Sequence, residues 1–294
     1  MTTNLLDRAK YAAARQLRQV SDDASWRDPN YPDHLVDWWD NLLEGVMRAD
    51  CEDDLGKSAG AETRDRRHKS GVIMPAKFCA PHSSSALAVN TFGPFRRQPT
   101  HLRLNGHTGF TAMQFEYPCN NGLGTGHFPH FDFFAESPDG VIAVESKFLE
   151  PLSDKVADFK PQYDGPFRGT DGRAIVAEEP WRAIFEELKC GTLHYDYIDA
   201  AQLVKHYLGL RVKFGQQNRT LLYLFWEPKN VQDVAEFQAH RKEVIDFAER
   251  VKNCETRFAF VSYAELWREW ETTSTWPNMP EHLARLRAHY RFAI

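Results

Sequence analysis

The sequence lacks the cysteine pattern of a disulfide-stabilised or zinc-binding protein. Its five cysteines are odd in number, lie far apart and include no pair at CxxC spacing: Cys51, Cys79, Cys119, Cys190 and Cys254. Scattered thiols of this kind predict reduced cysteines, as in a cytosolic protein, and argue against a zinc ribbon or a disulfide framework.

Long apolar runs are missing too. No run approaches the length of a membrane span, and the first residues show no apolar signal region. We therefore expect no contact with a membrane and a cytoplasmic location.

An excess of positive charge is also missing. The formal net charge is −5, so any phosphate-binding surface has to be a local patch on an acidic body. The densest basic run spans residues 64–69, and it is either a solvated loop or a phosphate-contacting arm. A P-loop is excluded at Gly56-Lys57-Ser58, because Cys51 stands where a Walker A motif needs glycine.

The chain is long enough to bury a large core. With 294 residues and 13% aromatic residues, it forms one large domain or a domain with an elaborated terminal region. We expect an N-terminal helical extension over residues 1–82, with helices at 4–20 and 33–49 and a charged loop at 50–70. Residues 83–294 are expected to form the main domain.

The most informative stretch runs from His130 to Glu150. Mostly aromatic and β-branched residues at 131–134 and 141–144 flank the turn residues 137–140, which predicts a β-hairpin. If position 136 pairs with 141, Asp132 lies opposite Glu145.

That register has a chemical consequence. His130 then faces Lys147, and alternation places Asp132, Glu145 and Lys147 on one face of the sheet. Opposed carboxylates repel each other across a ladder, and a bound divalent cation would relieve the repulsion. The alternative is a plain cross-strand ion-pair ladder on an exposed face.

The other elements suggest an α/β architecture. A helix at 83–92 precedes a strand at 110–117, whose residues Met113, Phe115 and Tyr117 are expected on one face. A helix at 198–208, ending at Gly209, leads to a buried strand, which implies a parallel crossover. The elements expected from there on are a strand at 220–226, a helix at 231–252, a strand at 257–262 and helices from 263 and 280.

At this point the residues resemble a known family. Asp132 is followed by twelve intervening residues and then by Glu145-Ser146-Lys147. This pattern is similar to the signature of the PD-(D/E)XK nuclease superfamily. The segments GHFPHFDFF, VIAVESKFLEPL and FGPF look like those of its bacterial restriction-endonuclease members. The resemblance covers residues 83–227. It implies a restriction-endonuclease-like core (αβββαβ, with a mixed central sheet flanked by helices) and makes residues 83–294 a nuclease domain.

The resemblance also implies roles for residues. Asp132, Glu145 and the backbone carbonyl of Ser146 would hold Mg²⁺ or Mn²⁺, while Lys147 would orient the attacking water. Asp132, Glu145 and Lys147 would be the catalytic residues.

The chain departs from the family pattern in three places. Phe131 precedes Asp132 where the family has proline, and the literal Pro138-Asp139 falls in the hairpin turn. The family's helix glutamate is absent from 83–92, and Glu116 or Glu44 would have to replace it. The family's Gln-x-x-x-Tyr motif matches only in part, because Tyr207 follows Gln202 one position too late. Gln202 and Lys205 are candidate nucleic-acid contacts.

We therefore predict a divalent-metal-dependent endonuclease that hydrolyses phosphodiester bonds, acting on double-stranded DNA in restriction or defence. A homodimer is left open. One alternative is a nuclease-like domain that only binds nucleic acid or protein. Another is a metalloenzyme with a histidine–carboxylate site formed by His127, His130 and Asp132.

Overall fold

A mixed five-stranded sheet with helices on both faces forms the centre of the protein. The computed structural model describes residues 4–20, 28, 30–57, 62–67, 71–124, 128–215 and 217–294. The expectation of an α/β protein is confirmed. Within these ranges, no helix is long and apolar enough to cross a membrane.

The strands of the central sheet are adjacent in the order in which they occur in the chain, β3-β4-β5-β6-β7. Strands β3, β4 and β5 pair antiparallel, whereas β6 and β7 continue the sheet in parallel. Two short strands, β1 and β2, form a separate antiparallel pair. The bounds are Arg66–Arg67 (β1), Ile73–Met74 (β2), Ala112–Pro118 (β3), His130–Ser137 (β4), Gly140–Lys147 (β5), Arg219–Phe225 (β6) and Thr256–Ser262 (β7).

Helices precede, interrupt and follow these strands. Helix α3 comes before the antiparallel meander, and α6 connects β5 to the parallel strand β6, as predicted. The bounds are Leu5–Val20 (α1), Arg48–Lys57 (α2), Ser84–Phe92 (α3), Asp164–Arg168 (α4), Glu179–Cys190 (α5), Ala200–Lys213 (α6), Ala235–Arg250 (α7), Tyr263–Thr273 (α8) and Met279–Tyr290 (α9).

The predicted hairpin register is confirmed. Glu136 pairs with Val141, and the ladder continues to the pair of Phe133 with Val144. Asp132 is the residue that comes next after this last pair. Ser137 pairs with Gly140, so the loop contains two residues. A loop of even length is what the register required.

The sheet is buried on both faces, which explains its nearly continuous apolar strands. On one face, Phe133, Ile142 and Val144 belong to a core that also contains apolar residues of α1, α3, α8 and α9. On the other face, Val141 and Ala143 belong to a second core formed with α5, α6 and α7.

The alternation of side chains breaks at one level of the sheet. Phe115 packs in the first core, but Tyr117 packs against the second, so the expectation that they share a face is wrong. Glu116 between them has a φ of +47°, a left-handed conformation that rotates the strand. The neighbouring strand changes in the same way, because Phe133 faces the first core and Phe131 the second.

Two helix predictions need correction. Residues 33–49 do not form one helix: a short 3₁₀-helix covers Trp38–Asn41, and α2 begins only at Arg48. Gly45 between them has a φ of +94°, which an α-helix does not accommodate. The expected loop at 50–70 is therefore partly helical.

The crossover helix α6 does not end at Gly209 but continues to Lys213. A Cβ atom at Gly209 would lie 3.0 Å from the Sγ of Cys119. The glycine is therefore required for close packing rather than for ending the helix.

The N-terminal residues share the main core. Ala9 and Leu17 of α1 and Leu55 of α2 lie in the same apolar cluster as the sheet residues, and α1 packs against α9. The domain boundary at residue 82 stays a prediction.

The hairpin turn allows a test of the close approach between Gly140 and Asn218. Gly140 has a φ of +131°, and a Cβ atom there would overlap the carbonyl oxygen of Asn218, which accepts the Val141 N–H. We expect Gly140→Ala to lower the free energy of unfolding by about 3 kcal/mol, measured by urea denaturation. Gly106→Ala is the control, since Gly106 also has a positive φ but no heavy atom of the described residues, its two chain neighbours aside, would lie within 4 Å of an added Cβ atom. It should cost only about 1 kcal/mol, and equal losses would contradict the close approach at Gly140.

Candidate active site in a cleft

A cleft of about 1050 Å³ opens at the end of β5, where the strand meets α6 and the N-terminal region. Asp132, Glu145 and Lys147 line it, together with Glu116 from β3. One wall comes from α6 and the facing wall from α1, β1 and the start of α3. The wall residues with polar or charged side chains include Lys10, His34, Arg66, His82, Ser84, Gln202, Lys205 and His206.

Strand alternation determines where the side chains of β5 point. Glu145 and Lys147 lie on the α6 side, whereas Ser146 between them points to the opposite core. The Ser146 hydroxyl lies 2.6 Å from the Tyr263 hydroxyl and donates to the carbonyl oxygen of Ser84 at 3.3 Å. These contacts hold the strand on the side opposite α6.

Glu145 and Lys147 form a buried ion pair. Their side chains are 2% and 11% exposed. The Lys147 ammonium also donates to Oε1 of Gln202 at 2.8 Å. Nδ1 of His206 lies 3.1 Å from Oε2 of Glu145. Helix α6 therefore supplies one polar partner to each member of the pair.

The two charges keep each other ionised. Burial alone would raise the pKa of Glu145, but Lys147 and His206 lower it to about 2. Burial alone would lower the pKa of Lys147, yet the neighbouring carboxylates, above all Glu145, raise it above its usual range. Lys147 is therefore an ammonium cation at neutral pH.

Asp132 lies beside this pair. Its Oδ2 accepts the backbone N–H of Ser146 on the neighbouring strand at 2.6 Å. Burial raises the pKa of Asp132 well above its usual value, and the negative charges of Glu145 and Glu116 raise it further. The hairpin thus brings both predicted carboxylates to the same cleft.

Glu116 is a third carboxyl group in the cleft. Its side chain is 9% exposed, and burial followed by the charge of Glu62 raises its pKa to about 8. Glu62 is itself buried and pairs with Lys77 at 2.8 Å. The alternative residue Glu44 lies elsewhere: its side chain is 82% exposed and pairs with Arg285.

The donor set suits a hard divalent cation. The carboxyl groups of Asp132, Glu145 and Glu116 and the carbonyl of Ser146 supply oxygen ligands, which Mg²⁺ and Mn²⁺ prefer. Burial first, and then repulsion from neighbouring carboxylates, raises the pKa values of Asp132 and Glu116, and a cation would relieve the repulsion. Across the described ranges, no three His, Cys, Asp or Glu side chains already converge as a ligand group. A cation here would therefore use one or two carboxylates, the backbone carbonyl and water, as Mg²⁺ commonly does.

Helix α6 contains a residue that the sequence analysis missed. His206 lies four positions after Gln202, so both side chains project from the same helical face towards the β5 pair. Tyr207 instead points away, stacks on Trp181 with ring centroids 4.2 Å apart and accepts the Glu178 N–H. The i, i+4 spacing of Gln202 and His206 was the available signal.

The remaining candidates have mixed outcomes. Lys205 lines the cleft, with its ammonium 5.4 Å from the ring centroid of Phe159. His130 also lines it, and its Nδ1 is 3.9 Å from Oε2 of Glu116. His127, a ligand of the alternative histidine–carboxylate site, lies outside the described residues.

The fold and the cleft define a mixed α/β protein with buried carboxyl groups and a buried lysine where a sheet meets a crossover helix. Comparison with protein families is more specific. Residues 10–291 match the family described as restriction endonuclease associating with ARP, and the chain belongs to this family. Searches of curated proteins and of solved structures gave no match. The expected restriction-endonuclease relationship is thus confirmed, while the PD-(D/E)XK assignment stays a prediction.

The carboxyl cluster predicts a pH dependence of stability. Because the pKa of Glu116 is raised in the folded state, folding favours its protonated form. The stability contributed by that form is complete below the unfolded-state pKa near 4.5 and is lost as pH rises through about 8. Glu116→Gln removes this titrating group. We therefore expect the free energy of unfolding of the variant to lose a pH dependence of up to about 1.4 kcal/mol per pH unit, the effect of one proton.

Urea unfolding without divalent ions, between pH 5 and 8.5, measures the effect. Glu44→Gln is the control, because that side chain lies in solvent and outside the cleft. The same pH slope in Glu116→Gln and in the wild type would show that Glu116 is not held in its protonated form.

Proposed function

We propose that this protein is a metal-dependent nuclease of the PD-(D/E)XK type that hydrolyses phosphodiester bonds in DNA. One observation carries the proposal: the buried Glu145–Lys147 pair shares a cleft with Asp132, in a chain that belongs to a restriction-endonuclease family. The element order α3-β3-β4-β5-α6-β6 supports it, since the superfamily core has this order.

Asp132, Glu145 and the carbonyl of Ser146 would hold the cation, with Glu116 as an additional ligand. When bound, Mg²⁺ or Mn²⁺ supplies Lewis-acid activation of a phosphate oxygen and of water. The Ser146 N–H bond orients Asp132, and His206 keeps Glu145 ionised and directed into the cleft. His206 is a positioning residue, because it acts through Glu145.

Lys147 contributes a fixed positive charge. Its raised pKa keeps the amine protonated while it is paired with Glu145, so it donates hydrogen bonds rather than accepting the proton of the attacking water. An ammonium at the floor of the cleft would orient that water and stabilise the negative charge that develops on the phosphoryl oxygens. Gln202 holds the ammonium in place.

The biological setting follows from the family. Its description names restriction and an association with ARP, and we propose that this chain acts on double-stranded DNA in restriction or defence beside such a partner. A homodimer stays a prediction.

Cleavage assays test the assignment. Supercoiled, linear and single-stranded DNA are incubated with the protein in Mg²⁺, Mn²⁺ or EDTA, and cleavage is expected only with the divalent ions. Lys147→Ala should lower the rate by roughly 10²- to 10³-fold, because it removes one preorganised donor to the developing charge. Lys189→Ala is the matched control, since it breaks a partly buried ion pair with Asp164 away from the cleft.

Circular dichroism of both variants checks that they remain folded. Equal cleavage by Lys147→Ala and the wild type would remove the assignment, as would full activity in EDTA. Divalent-independent DNA binding without any cleavage would instead favour the non-catalytic binding domain.

A further inference from the structure

The wall that faces α6 carries a cluster of basic residues from four separate segments. Lys10 comes from α1, His34 from the following loop, Arg66 from β1 and His82 from the turn before α3, and all four line the cleft. His34 and His82 lie edge to face, with ring centroids 6.3 Å apart. The fold therefore assembles this cluster from residues far apart in sequence.

The positive charge of the cluster resides on Lys10 and Arg66. Burial lowers the pKa of His82 to about 4, and Lys10 lowers it further. Burial also lowers the pKa of His34, with Arg66 and Lys10 adding to the effect against two nearby aspartates. The two imidazoles are thus neutral at pH 7 and add no charge to the cluster.

Both cations have unused hydrogen-bonding capacity. Neither Lys10 nor Arg66 forms an ion pair with any residue in the described ranges, and the buried Nε of Arg66 has no hydrogen-bond partner there. Lys77 on the same wall differs, because Glu62 neutralises it. A buried guanidinium nitrogen without an acceptor points to an anion from outside the chain.

The adjacent start of α3 favours the same kind of ligand. Ser84 and Ser85 in its first turn line the cleft beside His82, and Ser83 caps the helix by accepting the N–H of Ala86. The free backbone N–H groups of a helix N-terminus carry a partial positive charge. The charged side chains and the N-terminus of α3 thus favour an anion in the same region of the wall.

We propose that Lys10 and Arg66 form a phosphate-binding subsite that holds the nucleic-acid backbone beside the carboxylates of the cleft. The proposal rests on the proposed nuclease function and names part of its substrate-binding surface. Guanidinium and ammonium groups are the usual protein donors to phosphate. Lys205 lies on the facing wall, so basic groups flank the acidic floor on both sides.

A polyanion fits this arrangement better than a single small anion. The basic groups line two walls of a cleft of about 1050 Å³, which is far larger than one phosphate group. A backbone with successive phosphates would offer a separate phosphate to each basic wall. The N-terminal region is then part of the substrate-binding surface.

Binding measurements with a matched pair of arginines test the subsite. A fluorescent 30-base-pair DNA duplex is titrated with protein in EDTA, which prevents cleavage, over a range of salt concentrations. Arg66→Ala and Lys10→Ala should each weaken binding roughly tenfold. Each should also reduce the slope of log K against log salt by about 0.9. Arg67→Ala is the control, because Arg67 is the exposed neighbour on the same strand and does not line the cleft.

A conservative variant separates charge from folding. Arg66→Lys keeps the positive charge and should keep the salt slope of the wild type, and thermal unfolding reports whether each variant is folded. Wild-type affinity in both Arg66→Ala and Lys10→Ala would overturn the subsite, as would an equal loss in Arg67→Ala. If the wild type itself neither binds nor cuts DNA, the proposed function fails and the subsite fails with it.

Discussion

The structure depends on how one buried ion pair is stabilised. Removing Glu145 and Lys147 from water costs more free energy than their mutual attraction returns, unless other polar groups complete their hydrogen bonds. Gln202 of α6 accepts a hydrogen bond from the Lys147 ammonium. His206 of the same helix places its Nδ1 3.1 Å from a carboxylate oxygen of Glu145. The crossover helix therefore has to pack against β5 in one rotational position. This requirement links the site to the connection between the antiparallel and the parallel parts of the sheet.

The second constraint is a local break in the sheet. Asp132 and Glu116 reach the cleft where β3 and β4 both change the direction of their side chains, at the left-handed backbone of Glu116. In a regular ladder the side chains would alternate without interruption, and Tyr117 and Phe131 would face the first core. The carboxyl groups of three adjacent strands, those of Glu116, Asp132 and Glu145, meet at this level of the sheet. Burial raises the pKa values of Asp132 and Glu116, and the neighbouring carboxylates raise them further.

The features that could be predicted from the sequence are those that depend on interactions between residues close together in the chain. The hairpin register follows from a two-residue turn and strict alternation, so the pairing of Glu136 with Val141 was within reach. The helix expected at 33–49 failed because its tryptophan spacing is helical, whereas Gly45 adopts a left-handed conformation that no periodicity reports. Glu62, Lys10 and Arg66 could not be placed in the cleft, because their positions depend on the tertiary packing of the N-terminal region. His206 was accessible in principle through its spacing from Gln202.

The proposed function requires that an acidic protein bind a polyanion. A net charge of −5 repels DNA at long range, and only a local arrangement of cations changes the sign of the field. Lys147 and Lys77 contribute little to that field, because carboxylates neutralise them within the cleft. Among the residues that the structure describes, the cations that line the walls without a carboxylate partner are Lys10, Arg66 and Lys205. Two of these three come from the N-terminal residues, and the family match begins at residue 10. Both walls of the cleft and the buried pair thus lie within the part of the chain that matches the family.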